Sequence, residues 1–199
     1  MLTLDKERGK NSIIIGVDEV GRGPLAGPVV AAAVILHKDI CLDGIDDSKK
    51  LSAKKRDDFF LKILSFSKFA IGFSTVEEID RQNILQASLL AMRRAFDSIG
   101  IKNAAVLVDG QFSFDKENRN IKTCINGDQI YPSIAAASIV AKVVRDRYMS
   151  LLAKKFDEYG WDKNSGYGTA KHLLALEKHG VTPLHRKTFA PVHKILFKK

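Results

Sequence analysis

Two short apolar runs constrain the fold of this chain most strongly, because both of them are rich in β-branched side chains. Residues 13–20 and residues 28–36 form these runs, and the segment between them, residues 21–27, is rich in glycine and proline. β-branched residues favour extended backbone, whereas glycine and proline favour turns. The pattern therefore predicts two buried strands around a Gly/Pro turn.

The rest of the chain alternates between helical and extended patterns, with no repeat and no low-complexity linker. Apolar residues at helical spacing, together with capping residues, predict helices over residues 52–67, 83–100, 132–159 and 169–179. Further strands are predicted over residues 69–76, 104–108 and 120–125. This order of elements is typical of an α/β fold in which helices pack on a mixed sheet.

The positive charge is concentrated in the last third of the chain. The formal net charge is +9 over 199 residues; residues 142–199 carry +8 of it and residues 1–141 carry +1. A basic segment of this kind indicates a polyanionic partner, because each neutralised phosphate releases counterions. A solubilising surface would have the same composition, so charge alone does not decide between the two interpretations.

Several classes of protein are excluded by the sequence. No apolar run approaches the roughly 20 residues that a membrane-spanning helix needs, and residues 1–8 lack the pattern of a signal peptide. Cys41 and Cys124 form neither a disulfide framework nor a zinc-binding spacing. We therefore expect a cytoplasmic protein without a membrane partner.

Acidic residues interrupt the predicted strands at their ends. Asp18 and Glu19 follow an apolar run, and Asp109 follows another. Buried carboxylates are costly unless they are paired or bind metal. Asp128 precedes the Ala-rich helix, where it either joins this group or caps the helix. Oxygen ligands without histidine or cysteine favour Mg²⁺ or Mn²⁺, and beside a basic surface they predict metal-assisted attack on a phosphodiester.

Several sequence blocks, in order along residues 13–190, resemble the ribonuclease HII family. The blocks are DEVGRGPLAGP at 18–28, DSKKL at 47–51, VDG at 108–110, IAAASIVAKVVRD at 134–146, GYGT at 166–169 and PLHR at 183–186. Together they are far more specific than any one motif. The chain departs from the family pattern at Val20, where the family has Ala, and at Asn126, where the family often has Lys.

The resemblance implies an α/β, RNase H-like fold with a mixed five-stranded sheet flanked by helices and a C-terminal helical extension. It implies a catalytic domain over residues 1–160, and over residues 161–199 an extension that contributes to substrate binding within the same compact unit. The implied enzyme is a divalent-metal-dependent endonuclease. It hydrolyses the RNA strand of RNA–DNA hybrids and incises duplex DNA 5′ of embedded ribonucleotides, leaving 5′-phosphate and 3′-hydroxyl ends. The sister group, ribonuclease HIII, has an extra N-terminal substrate-binding domain, for which we expect no counterpart here.

The family's acidic residues correspond here to Asp18, Glu19, Asp109 and Asp128. The resemblance assigns them to catalysis and to two divalent ions, Mn²⁺ or Mg²⁺, bound together with substrate. A fifth acid, Asp146, lies between two arginines, so we interpret it as an ion-pair partner instead of a metal ligand.

Further residues are assigned to the substrate by the same resemblance. They are Gly21, Arg22 and Gly23 at the ribose 2′-hydroxyl, Tyr167 on the deoxyribose that follows, and Ser48, Lys49, Lys50, Ser138, Lys142 and Arg145 at phosphates. Glycine lets the main chain approach a sugar closely, and the 2′-hydroxyl is what distinguishes RNA from DNA. Ser138 and Lys142 share a helix face, which fits phosphate binding and also fits a small-residue packing face with a lysine at its edge.

The expected partner is therefore nucleic acid, and we expect a monomer. The C-terminal Ile195-Leu196-Phe197 is too weak a match to support docking on a sliding clamp. Four histidines in the last third have no metal-binding spacing, and His185 is predicted to be a structural hydrogen-bonding residue. Two other functions are considered: a catalytically idle hybrid-binding protein, and another RNase H-like nuclease or recombinase that cuts DNA junctions.

Overall fold

In the computed structural model, which describes residues 13–40, 42–45, 48, 51–101 and 103–197, five strands form one sheet. They are β1 (Ile14–Val20), β2 (Val29–Ile35), β3 (Lys68–Ser74), β4 (Ala105–Asp109) and β5 (Ile121–Cys124). Their order in the sheet is β3-β2-β1-β4-β5. The β1–β2 and β2–β3 pairs are antiparallel, and the β1–β4 and β4–β5 pairs are parallel. The predicted mixed five-stranded sheet is confirmed.

Seven helices accompany the sheet within the same residues. They are α1 (Ala53–Phe66), α2 (Val76–Gln82), α3 (Ile84–Ile99), α4 (Pro132–Ala153), α5 (Trp161–Asn164), α6 (Ala170–His179) and α7 (Ala190–Leu196). In β2, Ala32 and Val34 pack with α4, whereas Ala31 and Ala33 pack with α3. Alternate residues of a strand face opposite sides, so the two helices cover opposite faces of the sheet. Of the helices described, none is both long and apolar enough to cross a membrane.

Two glycines allow α4 and α3 to lie directly against the strands. A Cβ atom on Gly16 of β1 would overlap the backbone of Ser133 in α4. A Cβ atom on Gly72 of β3 would overlap the backbone of Ala91 in α3. Both helices therefore approach the sheet more closely than any larger residue at these positions permits.

The helix boundaries agree with the sequence in most places and differ in one. Ser52 and Asn83 cap α1 and α3 as predicted, each accepting hydrogen bonds from backbone N–H groups of the first turn. The helix predicted to reach residue 159 ends at Ala153 instead. The chain leaves helical geometry at Phe156, whose ring packs against Trp161 with 5.4 Å between the centroids. The short helices α2, α5 and α7 were not predicted.

The C-terminal helices pack against the turn between β1 and β2. Leu25 and Ala26 of that turn share an apolar cluster with Met149 of α4 and with Trp161. Backbone hydrogen bonds reinforce this packing: Leu25 N–H donates to the Gly166 carbonyl over 2.8 Å. The turn is therefore held mainly by residues far away in sequence.

Two buried histidines hold the C-terminal segments together. Nδ1 of His185 accepts a hydrogen bond from the N–H of Thr182 (3.0 Å), so its Nε2–H donates to Nε2 of His172 (3.0 Å). The same His172 atom accepts from Nε1–H of Trp161, and its Nδ1–H donates to the Tyr167 carbonyl. Burial lowers the pKa of both histidines, that of His185 to about 3, so the pair is neutral at pH 7. His185 thus has the structural role predicted for it.

This pair makes stability depend on pH below the ordinary histidine range. An unfolded His185 takes up a proton near pH 6.5 and the folded one does not, so the free energy of unfolding falls as pH decreases. The expected loss is about 1.4 kcal/mol per pH unit between about pH 6.5 and 5 for this residue alone. Urea denaturation at several pH values measures the slope. His185→Gln should flatten it, while His193→Gln, at an exposed position, should leave it unchanged; equal slopes in both variants would contradict the assignment.

Candidate active site

A cavity of about 350 Å³ lies where β1 and β4 end. Eleven of the residues predicted for the site line it: Asp18, Glu19, Gly21, Arg22, Gly23, Ser48, Asp109, Asp128, Ser138, Lys142 and Tyr167. They come from β1, the following turn, the segment before α1, β4, the turn before α4, α4 itself and the loop before α6. Asp18 and Tyr167 thus line the same cavity although they lie 149 positions apart in sequence.

Parallel pairing of β1 and β4 brings the first carboxylates together. Val17 is paired with Val108, so Asp18 and Asp109 follow side by side. Oδ1 of Asp109 accepts a hydrogen bond from the N–H of Gly127 over 2.8 Å. This bond ties the end of β4 to the 3₁₀ turn Gly127–Gln129, which carries the buried Asp128.

The electrostatics of the cavity are those of crowded carboxylates. Burial raises the pKa of Asp18 well above its usual range, and the negative charges of Glu19 and Asp109 raise it further. Burial also raises the pKa of Glu19, against the opposing effect of the Arg22 guanidinium, whose Nη1 lies 3.3 Å from Oε1 of Glu19. A cation placed among these groups would relieve both the burial cost and the repulsion.

The donor set fits hard divalent ions, because every acidic ligand offers carboxylate oxygen. Within the described parts of the chain, no three His, Cys, Asp or Glu side chains are already gathered as a metal-binding group. The carboxylates instead line the cavity separately. This spacing suits ions that are coordinated partly by the protein and partly by the substrate. It suits ions coordinated by the protein alone less well.

The turn after β1 brings main chain to the edge of the cavity. Gly21 has a φ of 96°, and a Cβ atom there would collide with the side chain of Arg145. A Cβ atom on Gly23 would lie 3.4 Å from the ring of Tyr167, so this glycine and the aromatic ring are neighbours. Tyr167 is 41% exposed, which leaves its ring accessible beside the turn.

Polar groups of α4 form another wall. Oγ of Ser138 lies 2.9 Å from Oγ of Ser48. One turn later, Nζ of Lys142 lies 2.8 Å from a carboxylate oxygen of Asp146. Asp146 also accepts a hydrogen bond from Oγ of Ser165. It is thus an ion-pair partner, as predicted, but it pairs with Lys142 and with neither of the adjacent arginines.

Arg145, which was predicted to contact a phosphate, does not line the cavity. Arg145 is fully buried and donates hydrogen bonds to the carbonyls of Ala26, Pro28 and Ser165, so the expectation that it contacts a phosphate is wrong. The Arg145 side chain turns inward towards the β1–β2 turn. Lys49 and Lys50 lie outside the described residues.

Sequence reasoning also missed Arg186. This residue belongs to the PLHR block, yet no role was predicted for it. It is fully buried, and its guanidinium contacts the carbonyls of Gly21, Arg22 and Gly27. The only sequence signal was a basic residue next to His185 in the PLHR block. That signal does not indicate which groups the Arg186 side chain contacts.

The chain is similar to known proteins over nearly its whole length. The family model for ribonuclease HII matches residues 15–199. The chain is 51% identical over 191 residues to the ribonuclease HII of Anaplasma phagocytophilum (strain HZ), with 94% of this chain and 90% of that protein covered. It is 52% identical over 187 residues to the ribonuclease HII of Wolbachia pipientis subsp. Culex pipiens (strain wPip), with 94% of each chain covered.

Solved structures show the same architecture. Ribonuclease H2 from Pyrococcus horikoshii OT3 superposes with a TM-score of 0.78 at 28% identity, covering 92% of this chain and 96% of that one. Bst-RNase HIII, solved in complex with Mn²⁺, has a TM-score of 0.76 at 20% identity, covering 97% of this chain and 72% of that one. The second likeness concerns the fold alone.

The raised pKa of Asp18 predicts that this residue lowers stability. Because the ionised form is disfavoured in the folded protein, Asp18→Asn should raise the free energy of unfolding at neutral pH by about 1 kcal/mol or more, a Tm increase of about 2–4 °C. Melting curves in a chelating buffer measure the shift. The difference from wild type should shrink as pH falls below the raised pKa of folded Asp18 and should vanish near the ordinary aspartate pKa of about 3.9, below which the folded and unfolded states are both protonated. A lower Tm for Asp18→Asn than for the control Asp162→Asn, at an exposed position, would contradict this prediction.

Proposed function

Since the chain belongs to the ribonuclease HII family and is an endonuclease that acts on RNA–DNA hybrids, we propose that it requires divalent metal ions and also incises duplex DNA 5′ of single embedded ribonucleotides. The observation that carries the proposal is one cavity that combines four carboxylates with the glycine turn and an exposed tyrosine. The carboxylates serve hydrolysis of a phosphodiester. The glycine turn and the tyrosine serve recognition of the sugar next to that phosphodiester.

We propose that Asp18, Glu19, Asp109 and Asp128 hold the ions, which are Mn²⁺ or Mg²⁺. Ions bound there would activate the attacking water and stabilise the leaving 3′ oxygen, so that the products are a 5′-phosphate and a 3′-hydroxyl. The hydrogen bond from Gly127 N–H fixes one oxygen of Asp109 and leaves the other for a ligand. The fold shared with Bst-RNase HIII, which was solved in complex with Mn²⁺, is consistent with this assignment.

Recognition of the sugar is assigned to residues 21–23 and to Tyr167. Main chain at Gly23 can approach a ribose closely because no side chain stands between it and the ring of Tyr167. The positive φ of Gly21 and the room it leaves for Arg145 allow the turn to take this course. Contact with the 2′-hydroxyl selects a ribonucleotide, since deoxyribose lacks that group. The ring of Tyr167, next to Gly23, stacks on the deoxyribose that follows the ribonucleotide.

Phosphate contacts are assigned to α4 and to the basic C-terminal part of the chain. Ser138 and Lys142 line the cavity wall, and the residues after 160 extend the basic surface along the duplex. Phosphate contacts set the position of the substrate without reading its sequence. We therefore propose that the helical extension contributes to binding and the sheet domain to catalysis.

Cleavage of a duplex DNA carrying one ribonucleotide, labelled at its 5′ end, tests the proposal. Wild type with Mg²⁺ or Mn²⁺ should make a single nick 5′ of the ribonucleotide. Asp109→Asn should reduce kcat by at least about 10²-fold because a ligand and its charge are lost. Tyr167→Ala should reduce kcat/KM by about tenfold through lost stacking, with Tyr167→Phe as the matched control that keeps the ring.

The other functions give different results in this assay. Cleavage confined to longer RNA tracts would contradict the roles of residues 21–23 and Tyr167. Tight duplex binding without cleavage in either metal would contradict the enzyme and support the binding protein.

Salt dependence tests the phosphate contact separately. Lys142→Ala should weaken binding to hybrid and to ribonucleotide-containing duplex alike, and should reduce the slope of log K against log salt concentration by about one. Fluorescence anisotropy over a salt series measures this slope. Lys116→Ala, at an exposed position beside α3 on the other face of the sheet, is the control and should leave the slope unchanged. An unaltered slope in Lys142→Ala would exclude a phosphate contact for this lysine.

A further inference from the structure

The turn between β1 and β2 rests on a buried guanidinium from the C-terminal part of the chain. Arg186 has no exposed surface. Its Nη1 donates to the carbonyl of Arg22 over 2.9 Å, and its Nη2 donates to the carbonyl of Gly21 over 2.5 Å. Nε and Nη2 both donate to the carbonyl of Gly27, over 3.0 and 2.9 Å. One side chain thus fixes both ends of the turn.

Because the peptide unit is planar, these contacts also fix the direction of the N–H groups on the opposite side of the backbone. In a trans peptide the N–H points away from the carbonyl of the same unit. The carbonyl of Gly21 shares its unit with the N–H of Arg22, and the carbonyl of Arg22 shares its unit with the N–H of Gly23. Holding both carbonyls on Arg186 therefore directs both N–H groups away from it, on a segment that lines the active-site cavity.

We propose that Arg186 is a positioning residue that aims the backbone N–H groups of Arg22 and Gly23 at the ribose 2′-oxygen, so that selection of a ribonucleotide depends on it. The inference rests on the proposed function of the cavity. It assigns Arg186 no contact with substrate. It requires only that the two donors lose their direction when the guanidinium is lost.

The surroundings of Arg186 are built to hold it in one orientation. Its backbone N–H donates to the Leu25 carbonyl over 2.8 Å, so main chain and side chain contact the same turn. Asp80 of α2 accepts hydrogen bonds from the N–H groups of Lys187 and Thr188, both over 3.0 Å. The guanidinium carbon of Arg186 lies over the ring of Phe189, 5.1 Å from the ring centroid. The residue is thus anchored from α2 as well as from the turn.

The chemistry favours arginine over any substitute. Burial lowers the pKa of Arg186 to about 9, which still leaves it charged at pH 7. A buried charge that makes hydrogen bonds only to carbonyls is costly compared with an apolar side chain of similar size. The planar fork is what lets it reach several carbonyls at once, and a lysine ammonium cannot reproduce that geometry.

The test compares Arg186→Lys with wild type in two assays. In an Asp109→Asn background, which slows cleavage, the ratio of Kd for an all-DNA duplex to Kd for the same duplex with one ribonucleotide should fall about tenfold. In the active background, kcat/KM for the single ribonucleotide should fall by at least the same factor. Calorimetric Mn²⁺ binding should remain unchanged, because the carboxylates are not touched. Arg94→Lys, which also removes a guanidinium from a backbone carbonyl, is the control and should keep the wild-type Kd ratio.

Each result decides a separate question. A wild type without preference for the ribonucleotide duplex overturns the proposed function itself. A wild type with that preference, together with an unchanged Kd ratio and a lowered Tm in Arg186→Lys, overturns the positioning role and leaves a structural one. If Arg186→Lys does not fold, Asp80→Asn decides, because it loosens the anchor of residues 187–188 outside the cavity. A reduced Kd ratio in Asp80→Asn supports the proposal, and an unchanged ratio with a lowered Tm overturns it.

Discussion

Parallel pairing of β1 with β4 is the constraint on which the active site depends. It places Asp18 beside Asp109 at the ends of two buried strands, where like charges repel and little water reaches them. A fold that only needed stability would avoid this arrangement, since neutral residues there would cost less. The site therefore has an electrostatic cost that a cation bound there would relieve. Arg22, which pairs with Glu19, offsets only part of it.

Helix α4 packs against β1 and so places another wall of the cavity relative to the carboxylates of the sheet. It lies on the face of β1 that Gly16 leaves open, and it begins just after the turn that carries Asp128. Ser138 and Lys142 then face the cavity one turn apart. The helix packs on the sheet and on α1, and near its end on the cluster around Trp161, so the backbone that carries these side chains is held by the core.

The sequence predicted the parts of this structure that depend on local pattern. Strand runs, helix caps and the acids at strand ends have signals within a few residues, and these elements lie where expected. The misses depend on contacts between distant residues. Nothing near Arg145 in sequence indicates that it turns towards the carbonyls of Ala26 and Pro28. Likewise, α4 stops early because Phe156 packs on Trp161, a contact that helical periodicity does not encode.

The two halves of the site have different structural dependencies. Three of the carboxylates lie on the sheet, and Asp128 lies on the 3₁₀ turn before α4. The glycine turn is held by Arg186 from the C-terminal part of the chain and by Arg145 from α4. Arg145 connects the turn to the loop that carries Tyr167, because it donates hydrogen bonds to a carbonyl of the turn and to the carbonyl of Ser165, two residues before Tyr167. Loss of the C-terminal contacts should therefore impair recognition of the sugar before it impairs metal binding. In the proposed function, the C-terminal segments contribute to the distinction between ribose and deoxyribose through the backbone of the turn that they hold in place.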